Sequence, residues 1–206
     1  SAYKTVINDL YNEGLRTLQI DDCTWGCLVD DDFIASFIEK SDRDKEIIRQ
    51  EFAEKFLNIN NRVFQNNPED LIINTHVCRG NYASTWFGKG GYDKIADELF
   101  GKEDVNAYYL EFDTERAGTF ESLAKVSGDK KVVLGLITSK NPTLEEKESV
   151  IARIKEASKY VPLDRLYLSP QCGFASTEEG NRLTEEEQWA KLRFIKEISD
   201  EVWGEN

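Results

Sequence analysis

The chain has 206 residues, of which 40% are apolar and 32% charged, a composition typical of a globular protein. Its net charge of −13 offers no broad basic surface, which argues against a nucleic acid or an anionic membrane as partner. No apolar run approaches the roughly 18 residues that a membrane span needs. Four cysteines are too sparse for a disulfide scaffold, so we expect reduced thiols in a cytoplasmic protein.

Apolar runs alternate with amphipathic segments along the whole chain. Helical spacing predicts helices over 3–14, 33–66, 92–100, 117–126, 143–160 and 184–203. Short apolar runs predict strands over 18–22, 71–76, 107–112, 131–138 and 166–169. Thr143 with Glu146, and Thr184 with Glu187, have the spacing of capping boxes at the starts of the last two helices. Strands that are apolar on both faces and alternate with helices imply a parallel sheet.

The chemically distinctive side chains lie at or just beyond the carboxyl ends of the predicted strands. They are Asp21, Asp22, His76, Cys78, Glu111, Asp113, Thr138, Ser139 and Cys172. A (β/α)8 barrel places its active site at this edge. A doubly wound sheet also uses this edge, so the placement alone leaves both folds open.

The only histidine of the chain, His76, stands two residues before Cys78 at the end of a predicted strand. Side chains two apart in a strand point to the same face, so both could bind one zinc ion. Glu111 and Cys172, at the ends of two further strands, complete a candidate zinc site.

Each of these residues also has a purely structural interpretation. His76 and Cys78 could simply pack at a strand end, and Glu111 could pair with Arg116. Asp21 and Asp22 could cap a helix or face water. We interpret the two remaining cysteines, Cys23 and Cys27, as ordinary core thiols, because their neighbours are apolar.

Four strings in this order resemble the catalytic domain of cobalamin-independent methionine synthase, most closely the short bacterial homologues that lack its N-terminal domain. They are LQIDD at 18–22, THVCRGN at 75–81, LEFDTER at 110–116 and SPQCGF at 169–174. The resemblance implies a TIM-type (β/α)8 barrel that transfers a methyl group from a methylfolate-type donor to a homocysteine-type thiol, in methionine biosynthesis. It implies zinc as cofactor, held by His76, Cys78, Glu111 and Cys172. Asp21 would bind the substrate amino group, and Asp22 would assist it.

The resemblance also implies that this single domain, residues 1–206, covers strands four to eight of the barrel. The first three strands have no counterpart, so a missing N-terminal half or self-association would complete the barrel. The family carries a proton-donating histidine after the seventh strand, where this chain has Ser139 and Lys140. We expect Ser139 to contact the substrate and Lys140 to take part in catalysis. Two alternatives stay open: a zinc–thiolate alkyl transferase with another thiol acceptor, and an inactive fragment that binds zinc or a partner.

Overall fold

The computed structural model describes residues 2–38 and 43–204. The helices of this part are α1 (Ala2–Asn12), α2 (Thr24–Leu28), α3 (Asp31–Ile38), α4 (Lys45–Phe64), α5 (Ala96–Lys102), α6 (Lys147–Ala157) and α7 (Glu185–Trp203). Its strands are β1 (Thr17–Asp21), β2 (Ile72–Val77), β3 (Ala107–Glu111), β4 (Lys131–Ile137) and β5 (Leu166–Pro170). None of the described helices combines the length and the hydropathy needed to cross a membrane.

All five strands are parallel, and they lie side by side in chain order, β1-β2-β3-β4-β5. A doubly wound sheet would reverse its strand order at a switch point, and this sheet has none within the described residues. The sequential order is that of a partial (β/α)8 barrel, which confirms the predicted fold class and decides between the two folds left open by the sequence.

The two faces of the sheet differ in burial. On one face Ile73, Val77 and Leu110 pack against the helices in a single core, where each such side chain contributes about 1.5–3 kcal/mol to stability. On the other face Ile72 is 46% exposed and Tyr167 is 41% exposed. This second face corresponds to the interior of a closed barrel, and in the described chain it is open.

Two predicted helices are different in the structure. Helix α6 begins at Lys147 rather than at Thr143, because the Glu146 carboxylate accepts a hydrogen bond from Ser149 N at 2.8 Å and caps the helix itself. In place of the helix predicted over 117–126 the structure has two short 3-10 turns, Glu115–Ala117 and Glu121–Lys125, and Gly118 has a φ of +82° that ends the first turn.

The other predicted elements are confirmed within a few residues. The predicted helix over 92–100 starts as a 3-10 turn and continues as α5. The predicted helix over 33–66 is the pair α3 and α4, and its residues 39–42 lie outside the described part. The capping box of Thr184 and Glu187 is present at the start of α7.

Candidate metal centre

Three side chains from two strand ends form a compact cluster of metal-ligand type. His76 is the fifth residue of β2, Cys78 directly follows that strand, and Cys172 is two residues beyond β5. One ligand atom from each lies within 4.8 Å of the others, and His76 Nε2 lies 3.4 Å from Cys172 Sγ. Two ligand atoms on one tetrahedral zinc ion are roughly 3.3–3.8 Å apart. The donor set and its spacing therefore fit a zinc ion.

Hydrogen bonds within the cluster favour one thiolate, on Cys78. The thiols of Cys172 and Cys23 and the ring of His76 all hydrogen bond to the Cys78 sulfur, which lowers the pKa of Cys78. The same hydrogen bonds to Cys78, together with burial, raise the pKa of Cys172 and of Cys23. Burial acts to lower the pKa of His76. The hydrogen bond with Cys78 and the negative charges of Asp21 and Glu111 outweigh burial, so the pKa of His76 is raised overall. A metal ion binds cysteine as the thiolate and histidine as the neutral imidazole, so metal binding at this cluster would release protons from Cys172 and His76.

The cluster opens into a cavity of about 470 Å³ at the carboxyl edge of the sheet. His76, Cys78 and Cys172 all line it, together with Asp21. Asp21 is exposed and pairs in register with His76 across β1 and β2, so its carboxylate stands beside the cluster. A substrate that reaches the cluster through this cavity would pass a free carboxylate, the group that best recognises an ammonium ion.

Glu111 is buried and lies outside the cavity lining, and both of its carboxylate oxygens already have partners. Its Oε2 accepts a hydrogen bond from Arg79 N at 2.8 Å, and its Oε1 accepts one from Arg116 Nη2. Glu111 is fully buried. It lies outside the group of described ligand atoms that are within 4.8 Å of one another. Its pairing with Arg116 was the structural alternative, and its role as a zinc ligand stays a prediction.

Asp22 is buried and turned away from the cavity lining. Its Oδ1 accepts hydrogen bonds from Thr24 N and Thr24 Oγ1 at the start of α2, and its Oδ2 accepts one from Asn60 Nδ2 at 2.6 Å. Asn60 Nδ2 also donates to Glu103 Oε1 at 2.8 Å. Asp22 thus anchors α2 to α4, and we expect it to position Asp21 rather than to contact a substrate.

Ser139 and Lys140 also lie outside the cavity lining. Ser139 is fully buried, and its hydroxyl donates to Gln171 Oε1 at 2.8 Å. Lys140 Nζ is buried and has no hydrogen-bond partner in the described part of the chain. Its charge nevertheless acts on Cys172, whose pKa it lowers against the larger raising effects of Cys78 and burial. The roles predicted for both residues stay predictions.

Cys23 is not a core thiol, so that prediction was wrong. It is exposed, it lines the cavity, and its Sγ lies 3.2 Å from Cys78 Sγ. The apolar neighbours that suggested burial belong to α2, where Trp25 and Leu28 are buried, but Cys23 precedes the helix and points the other way. Cys27 lies inside α2 and is half-buried.

Sequence reasoning also missed Asn181, which ties together three segments around the cavity. Its Nδ2 donates to Ser139 O at 2.8 Å and to Asn81 Oδ1 at 3.0 Å, and its Oδ1 accepts from Ser84 N at 2.9 Å. It lies more than 90 residues from two of these partners along the chain, in a polar loop. Because no periodic pattern marks such a residue, its role could be found only in three dimensions.

The chain is similar to known proteins along nearly its whole length. The chain matches the family model described as "Cobalamin-independent synthase, Catalytic domain" over residues 1–198. The uncharacterized protein YxjG of Bacillus subtilis (strain 168) is 46% identical over 203 residues, which are 98% of this chain and 52% of YxjG. The chain thus spans about half the length of the curated relatives it matches most fully.

Two solved structures share the fold. A candidate vitamin-B12-independent methionine synthase from Listeria monocytogenes is 38% identical, with a TM-score of 0.73 over 99% of this chain and 54% of that one. A B12-independent methionine synthase from Shewanella sp. W3-18-1 is 19% identical, with a TM-score of 0.67 over 97% of this chain and 52% of that one. The second likeness concerns the fold alone.

Proposed function

Because the chain belongs to the family of cobalamin-independent synthase catalytic domains, we propose that it carries the thiol-activating half of a zinc-dependent methyltransferase. The acceptor would be a small thiol of the homocysteine type and the donor a methylfolate, which is a step of methionine biosynthesis. The observation that supports this proposal most strongly is the cluster of His76, Cys78 and Cys172 beside a cavity. Four unpaired cysteines support the cytoplasm, a reducing compartment, as its location.

His76, Cys78 and Cys172 would hold the zinc ion, and Glu111 is the candidate for the fourth position. Bound zinc lowers the pKa of an acceptor thiol, which then reacts as a thiolate at neutral pH. For Glu111 to serve, its carboxylate has to release Arg116 or Arg79 N, which now occupy its two oxygens.

The protein side chains around the cluster would bind and orient the acceptor. Asp21 would pair with its ammonium group at the cavity wall and hold the sulfur near the cluster. Asp22 would act through Asp21, because its own oxygens are taken by Thr24 and Asn60. Ser139, hydrogen-bonded to Gln171, and Lys140 behind Cys172 would shape the side of the cavity that faces the donor.

The metal content of the purified chain tests the zinc site. We expect one zinc ion per chain after dialysis against trace zinc, measured by mass spectrometry of the metal, and its loss in Cys78→Ser and in Cys172→Ser. Cys27→Ser is the matched control, since Cys27 is a free cysteine outside the cavity lining. If both site variants keep a tightly bound zinc ion, the site is assigned wrongly.

One observation favours a different acceptor. His76 is the only histidine of the chain, and it belongs to the metal cluster. Within this chain no second imidazole is left to donate a proton, and Lys140 stands in the loop after β4, where the family carries its proton-donating histidine. A zinc–thiolate alkyl transferase with another thiol acceptor is the second candidate. Methyl-transfer assays of the longer protein with homocysteine and with a coenzyme thiol, each with methylfolate and methylcobalamin as donors, distinguish the two.

The open inner face of the sheet supports a further part of the proposal, that the preceding half of a longer protein closes the barrel. In the described chain β1 and β5 each pair on one side only, which leaves two free strand edges. The matched relatives are about twice as long as this chain. Co-expression with the preceding segment of the longer protein should give a stable one-to-one complex, whereas self-association alone would yield symmetric oligomers.

A further inference from the structure

Cys23 and Cys78 stand opposite each other on neighbouring strand ends. Asp21 of β1 is in register with His76 of β2. Cys23 comes two residues after Asp21, and Cys78 comes two residues after His76. Asp22 N continues the pairing by donating to His76 O at 2.9 Å. Cys23 and Cys78 therefore each follow one of two paired strand ends, and their Sγ atoms lie 3.2 Å apart.

We propose that Cys23 and Cys78 form a reversible disulfide, which makes Cys23 an oxidation site at the edge of the metal centre. A disulfide has an S–S bond of about 2.05 Å, so the two sulfur atoms need to approach by only about 1.2 Å. Cys23 is exposed, and both Cys23 and Cys78 line the cavity, so an oxidant that enters the cavity can reach the pair.

The two cysteines differ in their freedom to move. Cys78 is held tightly, because Gly26 of α2 packs directly against its carbonyl group and the next residue, Arg79, donates its N–H to Glu111. Cys23 is the residue before α2, and its side chain makes no capping hydrogen bond to that helix. Closure of the disulfide would therefore move Cys23 toward Cys78 and leave the β2 end in place.

The chemistry balances with a peroxide as the oxidant. Hydrogen peroxide oxidises one of the two thiols to a sulfenic acid and releases one water molecule. The other cysteine gives up its thiol proton and attacks that sulfur, which forms the S–S bond and displaces hydroxide, and the hydroxide combines with the released proton as a second water. The two sulfurs together lose two electrons, which reduce the peroxide. A dithiol reverses the step.

The disulfide itself needs no metal, but its consequence rests on the proposed zinc site. A Cys78 sulfur in a disulfide is no longer a thiolate ligand, so only His76 and Cys172 of the cluster remain. Oxidation would thus release the metal and stop thiol activation, and reduction would restore both.

The test treats metal-free and zinc-loaded chain with a small excess of hydrogen peroxide. In the metal-free wild type we expect loss of two thiols, loss of two hydrogen masses, and a peptide that links Cys23 to Cys78, all reversed by dithiothreitol. Cys23→Ser should form no such link, and its Cys78 or Cys172 should oxidise further or pair with each other. Cys27→Ser should behave as the wild type.

In the zinc-loaded protein, a metal-sensitive dye should register zinc release at the rate at which the disulfide forms, and this release should be several-fold slower in Cys23→Ser. A wild type that yields only a Cys78–Cys172 link, or only sulfinic acids, in the metal-free form overturns the proposal. A chain that binds no zinc yet forms the Cys23–Cys78 link contradicts the proposed zinc site and leaves the disulfide standing, so the two failures are distinguishable.

Discussion

Arg116 donates a hydrogen bond from Nη2 to Oε1 of Glu111, whose carboxylate is fully buried at the end of β3. The Arg116 side chain is itself only 11% exposed, and it also donates to Gly88 O at 2.9 Å. One arginine thus neutralises the buried acid and fixes the loop that follows β2. The ion pair therefore compensates for the burial of the Glu111 carboxylate.

We expect Arg116→Ala to destabilise the chain strongly, because it leaves the Glu111 charge buried with a single N–H partner. Loss of one member of a buried ion pair costs about 3–5 kcal/mol. Urea unfolding followed by circular dichroism measures the change in the free energy of unfolding. Arg193→Ala, which breaks the exposed pair with Glu186, is the control and should cost at most about 1 kcal/mol.

Adding Glu111→Gln to Arg116→Ala should recover part of the lost stability, because the Glu111 charge no longer needs a partner. The recovery should stay incomplete, because the buried carboxylate of Asp113, 3.5 Å from Arg116 Nη2, loses its ion pair in both variants. A change below about 1 kcal/mol for Arg116→Ala alone would mean that the pair is not formed in solution.

Periodicity and strand-end chemistry were enough to predict the five parallel strands and the cluster of His76, Cys78 and Cys172. These features depend on local patterns: apolar runs make the strands, and parallel strands bring their carboxyl ends to one edge. The start of α6 could not be predicted in the same way, because Thr143 is the better N-cap by residue type and the observed cap at Glu146 depends on tertiary contacts. Lys191 Nζ of α7 donates a hydrogen bond to Thr143 O at 2.7 Å, which holds Thr143 outside α6.

Burial of individual polar side chains was harder to predict than their position along the chain. Ser139 and Cys23 occupy equivalent places after β4 and β1, yet Ser139 is fully buried and Cys23 is exposed. The difference comes from what covers each strand end: Gln171 and Asn181 from distant loops enclose Ser139. Contacts of such long range leave no periodic signal in the sequence.

Glu103 should make the stability of the chain depend on pH. Glu103 is fully buried. Burial raises the pKa of its carboxyl from 4.5 to about 7, although the hydrogen bond from Asn60 acts to lower that pKa. The folded state therefore holds the proton more tightly than the unfolded state. The stabilisation that comes from the raised pKa of Glu103 is complete below pH 4.5 and is lost as the pH rises through 7.

The variant Glu103→Gln isolates this effect. Glu103 Oε1 accepts hydrogen bonds from Asn60 and Trp25, a role that the glutamine oxygen retains, and Oε2 has no partner in the described residues. The stability of Glu103→Gln relative to wild type should rise by about 2–3 kcal/mol between pH 5 and pH 8. Urea unfolding at several pH values measures it, and a difference independent of pH would contradict a raised pKa.

Gly26 should be essential to the metal centre although it carries no functional group. It lies buried in α2, and a Cβ at this position would overlap the carbonyl oxygen of Cys78. Gly26→Ala must push the end of β2 away from α2, at a cost of about 1–3 kcal/mol. We also expect a lower zinc affinity, measured by competition with a chelating dye.

Gly101→Ala is the matched control for Gly26→Ala. Gly101 lies in α5, where a Cβ would meet no atom within 4 Å, so alanine should raise stability by about 0.5–1 kcal/mol and leave zinc binding unchanged. Equal zinc affinities in Gly26→Ala and wild type would show that the position of the Cys78 backbone does not control the site.

Asn181 should keep the loop between β5 and α7 closed over the cavity. Its amide donates to Ser139 O and Asn81 Oδ1 and accepts from Ser84 N, so one side chain joins three segments. Asn181→Asp keeps the acceptor for Ser84 N but places a carboxylate against the Ser139 carbonyl, whereas Asn181→Ala removes every hydrogen bond of this side chain, including the one to Ser139 Oγ. We expect limited proteolysis within 173–183 to be faster in both variants, by roughly tenfold if the lost contacts are worth about 1.4 kcal/mol.

Cleavage of α4 is the internal reference for this measurement. Unchanged cleavage rates within 173–183 in both variants would show that other contacts hold the loop.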